Sequence, residues 1–310
     1  MTCQENTQKT IVDDPLIKLG RQGYPNVAID SPRDFAIAVI GMGIQRVAHM
    51  TLEAILVLQR CRQGFVAGLD QKSVEEFRRA LVSHLGSDEL LPPLVSLSPA
   101  YRPDRKRREN YVEAADAVLD GAATQAPVAY LTPGNPIVYD RVAKEILDGA
   151  RARGLSVAVV PGISSIDTVL VDLRQEPGPG LQIYEASCFV GSGVKPDTRY
   201  GCLLMQVGVF GTNYAVLGRE PHVQALAPLK KYLLQFYPAA HLTVLVRSAA
   251  REDRGASIHH VSVESLDHVP ANLQQGASLF IPALSAPQLD KAFHARMECL
   301  DQLNAHYPKS

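Results

Sequence analysis

The chain of 310 residues lacks a charge excess of either sign: 31 Lys and Arg face 32 Asp and Glu, for a formal net charge of −1. That balance disfavours a nucleic-acid or anionic-membrane partner held by long-range attraction, so binding must come from a local site. Cysteine is scarce and unpatterned. The five thiols, Cys3, Cys61, Cys188, Cys202 and Cys299, are odd in number and show no CxxC spacing. This argues against a zinc site or a disulfide framework, fits a reducing cytoplasm, and makes them structural thiols. No apolar run reaches the ~18 residues of a membrane span. Residues 1–32 are polar and lack the apolar h-region of a secretory signal. The expected location is the cytoplasm. Walker loops, HExxH, GxSxG elbows and EF-hand loops are missing as well, which removes support for the commonest motif-bearing hydrolases and kinases. His259-His260 is an isolated pair on an expected strand, where neighbouring side chains point to opposite faces, so no metal is expected.

What is present is a 46% hydrophobic chain, enough for a real core in one large domain or two ordinary ones. Its centre runs from Val128 to Asp172. There VAYLTPGNPIVY is followed by the amphipathic DRVAKEILDGARARG and by LSVAVVPGISSIDTVLVDL. An apolar run, a Gly/Pro loop, a helix and a second Val-rich run ending in a Gly/Ser loop make a βαβ unit, and open parallel sheets bind ligands at such strand ends. A third segment of this form, Phe35 to Ile40, runs into Gly41-Met42-Gly43-Ile44. Three loops should therefore line one crevice. Gly41 and Gly43 permit a sharp turn and close approach. Lacking the third glycine of a dinucleotide fingerprint, they read equally as a tight structural turn.

In chain order, residues 1–34 are an arm rich in Pro and Gly. The GMG turn should lead into a helix with Met50, Ala54, Leu56 and Leu58 as apolar positions, followed by a strand at Phe65–Leu69 and a helix at Ser73–Leu85. Leu90–Leu97 reads as extended. Pro99–Tyr111, PAYRPDRKRRENY, precedes an Ala-rich helix over Tyr111–Ala122. That basic stretch is either a solvated loop or a substrate loop whose Arg and flanking phenols face a cleft. Glu176–Gly180 is a strong break, so an N-terminal α/β domain is placed at 35–176 and a second at 181–285. The second should hold short strands at Gln182–Ala186, Cys202–Val209, Leu242–Val246, His259–Val263 and Ser278–Ile281, a helix near Val223–Phe236 and a sheet with antiparallel members. A tail, 286–310, should be helical with Leu289, Phe293, Met297 and Leu300 on one face. The fold class expected is α/β in two domains. Its Gly/Pro/Ser loops suit a zwitterionic or adenosine-bearing ligand bound through backbone groups and small hydroxyls.

The order GMG, LTPGNPIVY and VVPGISS resembles the tetrapyrrole-methylase-like (class III) S-adenosylmethionine methyltransferases, whose middle motif is typically GDPxxY; Asn135 stands here for the Asp. The resemblance spans about Ala36 to Pro282. Within that superfamily IGMGIQRVAHMTLEAI, VPGISSIDTVLVDL, YEAS at Tyr184–Ser187, LLMQVGVFG and ASLFIPA are similar to the borosin-type peptide backbone α-N-methyltransferases. The resemblance implies S-adenosylmethionine as cofactor and S-adenosylhomocysteine as product. It implies a cofactor cleft between the two domains, with Gly41, Gly43, Pro133, Gly134, Asn135, Pro136, Val138, Tyr139, Gly162, Ser164, Ser165, Gln206 and Ser278 binding the cofactor. Ser164 and Ser165 read equally as helix N-caps. It also implies a catalytic set of Tyr101, Arg107 and Tyr111, which keep the family's spacing, either phenol serving as base with its pKa lowered by the cations. A homodimer is implied too. Pro133 departs from the tyrosine common before the middle glycine. Because the chain stops at Ser310, a precursor peptide is expected in trans. The alternative acceptors are a small molecule or a corrinoid or tetrapyrrole precursor; a catalytically silent scaffold or sensor is the non-enzyme alternative.

Overall fold

The computed structural model describes residues 34–214, 225–250, 255–285 and 290–304. The N-terminal arm, Cys3 and Leu289 lie outside the described residues, as do the side chains of Cys299 and Leu300. The chain divides into two compact units. Among the described residues, the first runs to Thr168 and takes in Asn213, Tyr214, Ala249 and Ala250; the second holds the remainder from Val169.

In the first unit the order is β1 (Ile37–Gly41), α1 (Leu52–Leu58), β2 (Gln63–Val66), α2 (Gln71–Leu85), β3 (Leu94–Ser96), α3 (Arg107–Gln125), β4 (Val128–Thr132), α4 (Arg141–Ala152) and β5 (Val157–Val160); α5 (Ser165–Leu173) then runs on into the second. The strands form one parallel sheet in the order β3-β2-β4-β1-β5. Every residue of β1 and of β4 is buried, as a strand covered on both faces requires. Alternation along the strands sorts the core into two faces. Ala38, Ile40, Ala129 and Leu131 pack with Ala54 and Leu58 of α1 and with Val74, Phe77 and Leu81 of α2. Ile37, Val39, Val128 and Tyr130 pack with Ala114, Val118 and Ala122 of α3 and Val142, Ile146 and Ala150 of α4. The connection from β1 leads towards β2, and the one from β4 leads the opposite way to β5. The switch point therefore lies where the carboxyl ends of β1 and β4 adjoin.

The helix expected directly after GMG is broken. Arg46–His49 is a 3₁₀ turn and α1 starts afresh at Thr51, whose Oγ1 accepts from Ala54 N at 3.0 Å. That restart sets the buried face at Ala54, Val57 and Leu58 and leaves Leu56 exposed, against the expectation for Leu56.

The second unit contains β6 (Leu181–Glu185), α6 (Ala186–Gly191), β7 (Gly201–Met205), α7 (Ala227–Leu233), β8 (Leu242–Arg247), β9 (Ser257–Ser262), α8 (Ala271–Gln274), β10 (Ser278–Ile281) and α9 (Lys291–Asn304). Its sheet runs β6-β7-β10-β8-β9, with β6 and β7 parallel and the other pairs antiparallel, as the short mixed strands predicted. Phe189, Leu204, Leu229, Leu245 and Leu279 centre its core. In α9, Phe293 and Met297 are exposed within this unit, so no packed face forms there among the described side chains. His259 and His260 are both exposed, and no group of His, Cys, Asp and Glu able to hold a metal occurs among the described residues.

Candidate active site

The three predicted loops meet at the switch point. Met42 N donates to Thr132 O at 2.8 Å, and Gly43 and Gly134 exchange hydrogen bonds of 3.2 and 2.9 Å. A β-carbon on Gly41 would stand 2.5 Å from both Gly134 O and Gly162 N; one on Gly162 would stand 2.4 Å from Gly134 O. Only glycine permits this approach of backbones. Gly43 and Gly134 also sit in the left-handed region, at φ +70 and +76.

The middle loop is braced from within. Asn135 Oδ1 accepts from Ile137 N at 3.0 Å and Asn135 O accepts from Val138 N at 3.0 Å, an Asx-type turn. Pro133 is exposed and Pro136 buried. Tyr139 holds φ 57 and is 37% exposed; a left-handed non-glycine residue is uncommon. Ser164 is buried; its Oγ accepts from Ile166 N at 3.0 Å, and its amide donates to Asp167 Oδ2 at 2.7 Å. Ser164 thus works as the helix cap its position suggested, and Ser165 opens α5. Gln206 and Ser278 belong to the second unit. Gln206 holds φ 59 after β7, and the buried Ser278 Oγ reaches Met205 Sδ at 3.5 Å. A glycine-lined strand-end cradle with the apolar side chains of Ile137 and Ile163 exposed beside it fits an adenosine-bearing ligand held through backbone groups.

Tyr101, Arg107 and Tyr111 all lie in the first unit. Arg107 is not in a loop: it is the first residue of the 19-residue α3, and Tyr111 sits one turn on. The Tyr101 and Tyr111 rings meet edge to face with centroids 6.0 Å apart. Arg107 and Tyr111 share an open cleft of about 520 Å³ with Lys106, Arg108, Arg141 and Asn213. A strap that no local sequence pattern signals closes the start of α3: Arg107 N donates to Asn213 O at 2.7 Å, and Lys106 bridges Tyr214. Beside Tyr101 stands another pair, Tyr130 and Asp140. Tyr130 Oη donates to Asp140 Oδ2 at 2.9 Å, while Asp140 Oδ1 caps α4 by accepting from Ala143 N at 3.0 Å. An Asp just before an apolar periodic run was the visible signal for that cap.

Burial first, then the Asp140 carboxylate and Tyr111, push the Tyr101 phenol well above the usual tyrosine range. Tyr130 is raised the same way, burial leading and Asp140 second. The expected lowering by neighbouring cations fails at Tyr101, because an ionised phenol there would lose its hydration and face a carboxylate.

A parallel α/β sheet with a glycine-built switch point, followed by a mixed α/β unit, is the architecture of the class III methyltransferases. The model of the tetrapyrrole (corrin/porphyrin) methylases matches residues 36–264, most of the chain. The chain belongs to that family, whose members are S-adenosylmethionine-dependent methyltransferases. Among curated proteins it is 25% identical over 256 residues to a methyltransferase/ribosomally synthesized type II borosin cyclic peptide precursor of Phlebiopsis gigantea, covering 81% of this chain and 43% of that protein. It is 22% identical to a type I borosin cyclic peptide precursor of Cerrena unicolor, covering 85% of this chain and 62% of the relative. The chain thus spans less than two thirds of the length of either relative. Of solved structures, diphthine synthase aligns with a TM-score of 0.55 at 14% identity, covering 86% of this chain and 94% of that one. The methyltransferase CobJ aligns at 0.54 and 12%, covering 82% and 96%. These likenesses bear on the fold alone. No helix among the described residues is long and apolar enough to cross a membrane.

Proposed function

We propose that the protein transfers methyl groups from S-adenosylmethionine to backbone amide nitrogens of a ribosomally made peptide supplied as a separate chain. The observation that carries this reading is the gathering of Arg107 and Tyr111 in one cleft with Tyr101 packed against Tyr111; the borosin precursors among its relatives support it. The Gly41, Gly43, Gly134 and Gly162 cradle, with Pro133, Asn135, Pro136, Val138, Tyr139, Ser164 and Ser165, would hold the cofactor. When bound, the cofactor supplies an electrophilic methyl on a sulfonium.

An amide nitrogen is a poor nucleophile, because its lone pair is delocalised into the carbonyl. The protein must therefore take the N–H proton and stabilise charge on the carbonyl oxygen. Arg107 polarises that oxygen: its guanidinium is always charged and offers several donors. Tyr101, held protonated by burial and Asp140, donates a hydrogen bond and takes no proton. Tyr111, on the open side of the pair, would act as its phenolate, taking the amide proton directly or through water while the nitrogen takes the methyl. The reading includes a cytoplasmic homodimer, which light scattering checks.

The test is incubation of the protein with S-adenosylmethionine and short peptides encoded beside its gene, followed by tandem mass spectrometry. Methyl gains located on backbone nitrogens support the reading. No gain on any peptide by a protein that still binds the cofactor overturns it. The cationic lining of the cleft favours one second reading, methylation of a polycarboxylate small molecule such as a tetrapyrrole precursor.

A further inference from the structure

We infer that the Lys106–Arg108–Arg141 side of the cleft binds a carboxylate of the methyl acceptor; under the peptide reading, on which this rests, that is an Asp or Glu close to the methylated amide. Lys106, Arg107, Arg108 and Arg141 surround an open cleft of about 520 Å³ with Tyr111 and Asn213. Among the described residues its walls supply no acid. Of those cations, only Arg141 has a carboxylate partner among the described residues, Glu145 at 2.7 Å. The nearby Glu113 pairs instead with Arg105 at 2.6 Å and Arg102 at 3.9 Å.

The cations also sit where helix stability opposes them. Lys106 precedes the first residue of α3, Arg107 and Arg108 open it, and Glu109 is the only acid in that turn. The amino end of a helix carries partial positive charge, so acidic side chains are favoured there and cations repelled. Placing like charges together in a concave site concentrates positive potential and recruits an anion. Arginine binds a carboxylate through paired N–H donors, and the volume suits one side chain and its neighbours, not a long segment. Because Arg107 and Tyr111 line the same cleft, the anion lies next to the reacting amide and would select which amide reacts.

The experiment uses the full chain loaded with S-adenosylhomocysteine and two labelled peptides that differ only in carrying Glu or Gln beside an apolar core. Binding is read by fluorescence anisotropy at low and raised salt. In parallel, methylation of both peptides with S-adenosylmethionine is read by mass spectrometry. We expect the Glu peptide to bind about tenfold tighter or more, to lose that advantage in salt, and to fall to the Gln level in the double variant Lys106→Gln/Arg108→Gln. Equal binding and equal methylation of the two peptides by the native protein overturns the inference and leaves the peptide reading standing. So does an equal loss for both peptides in a variant that melts like the native protein; the native-protein comparison decides should the variant not fold. Charge-selective binding without methylation of any peptide, with a porphyrin tetracarboxylate competing and gaining methyl instead, supports the anion site and overturns the peptide reading.

Discussion

Gly41 and Gly162 stand so close that a β-carbon on Gly41 would lie 2.5 Å from the Gly162 amide nitrogen. The obstacle is backbone on both sides, so no side chain can swing away. Gly41→Ala and Gly162→Ala are each expected to cost ~1–3 kcal/mol or more. For a chain of this size that is a fall of several degrees in Tm. Calorimetry checks this, and titration with S-adenosylhomocysteine should show weakened binding in whatever remains folded. Unchanged Tm and affinity in either variant would remove the tight junction from the account.

Arg107→Leu should lower kcat for methyl transfer by about 10²–10³, the usual effect of deleting a donor aimed at developing negative charge. Cofactor affinity should persist. Loss of cofactor binding in a folded variant would move Arg107 out of the acceptor site.

Asp140→Asn tests the electrostatics around Tyr101. Asn caps a helix about as well as Asp, so α4 should survive. Removing the negative charge should bring the Tyr101 phenol down towards the ordinary tyrosine range, since Asp140 is the second cause of its rise after burial. Ultraviolet difference titration against a Tyr101→Phe background reads the shift. An unmoved Tyr101 would mean that burial alone sets its proton.

The exposed Asp197–Arg199 clamp gives stability an acid limit. Hydrogen bonds from Arg199, side chain first and backbone second, hold the Asp197 carboxyl down at about 2. Because the folded value lies below the unfolded one of ~4, the contribution is fully present above pH ~4 and is lost as pH falls through about 2. Melting curves of the native chain and Asp197→Asn should therefore differ modestly near neutrality and converge towards pH ~2. Salt should narrow the gap, since the pair is exposed to solvent.

Masked or exposed, thiols need not all behave alike. Burial pushes Cys61 and Cys202 up to about 12, so both should resist alkylation at neutral pH until the protein unfolds. Cys188 is exposed and should label in the native state, though slowly, because Glu185 raises it. Peptide mapping after timed alkylation separates the sites.

The sheet was legible because β1, β4 and β5 are apolar runs that end in Gly/Pro/Ser loops, a local pattern that fixes both the strand and the end where a ligand binds. The start of α3 was not. Lys106 makes no side-chain cap and three cations oppose the helix dipole, so PDRKRREN carries the marks of a loop. What sets the helix start there is the Asn213 carbonyl and the bridge at Tyr214, more than 100 residues along the chain. The exposure of Leu56 has a similar origin, since the 3₁₀ turn after GMG resets the helix phase at Thr51.

By itself, then, the sequence determined the two α/β units, the glycine positions of the cradle and the Tyr101, Arg107, Tyr111 spacing, because period-2 burial, obligatory glycine and fixed offsets are properties of nearby residues. Tertiary structure alone decided that the Tyr101 phenol is pushed above the tyrosine range and which cations share a cleft. Hydration, the field of Asp140 and the convergence of Arg141 with Arg108 depend on distances in space that no local pattern encodes.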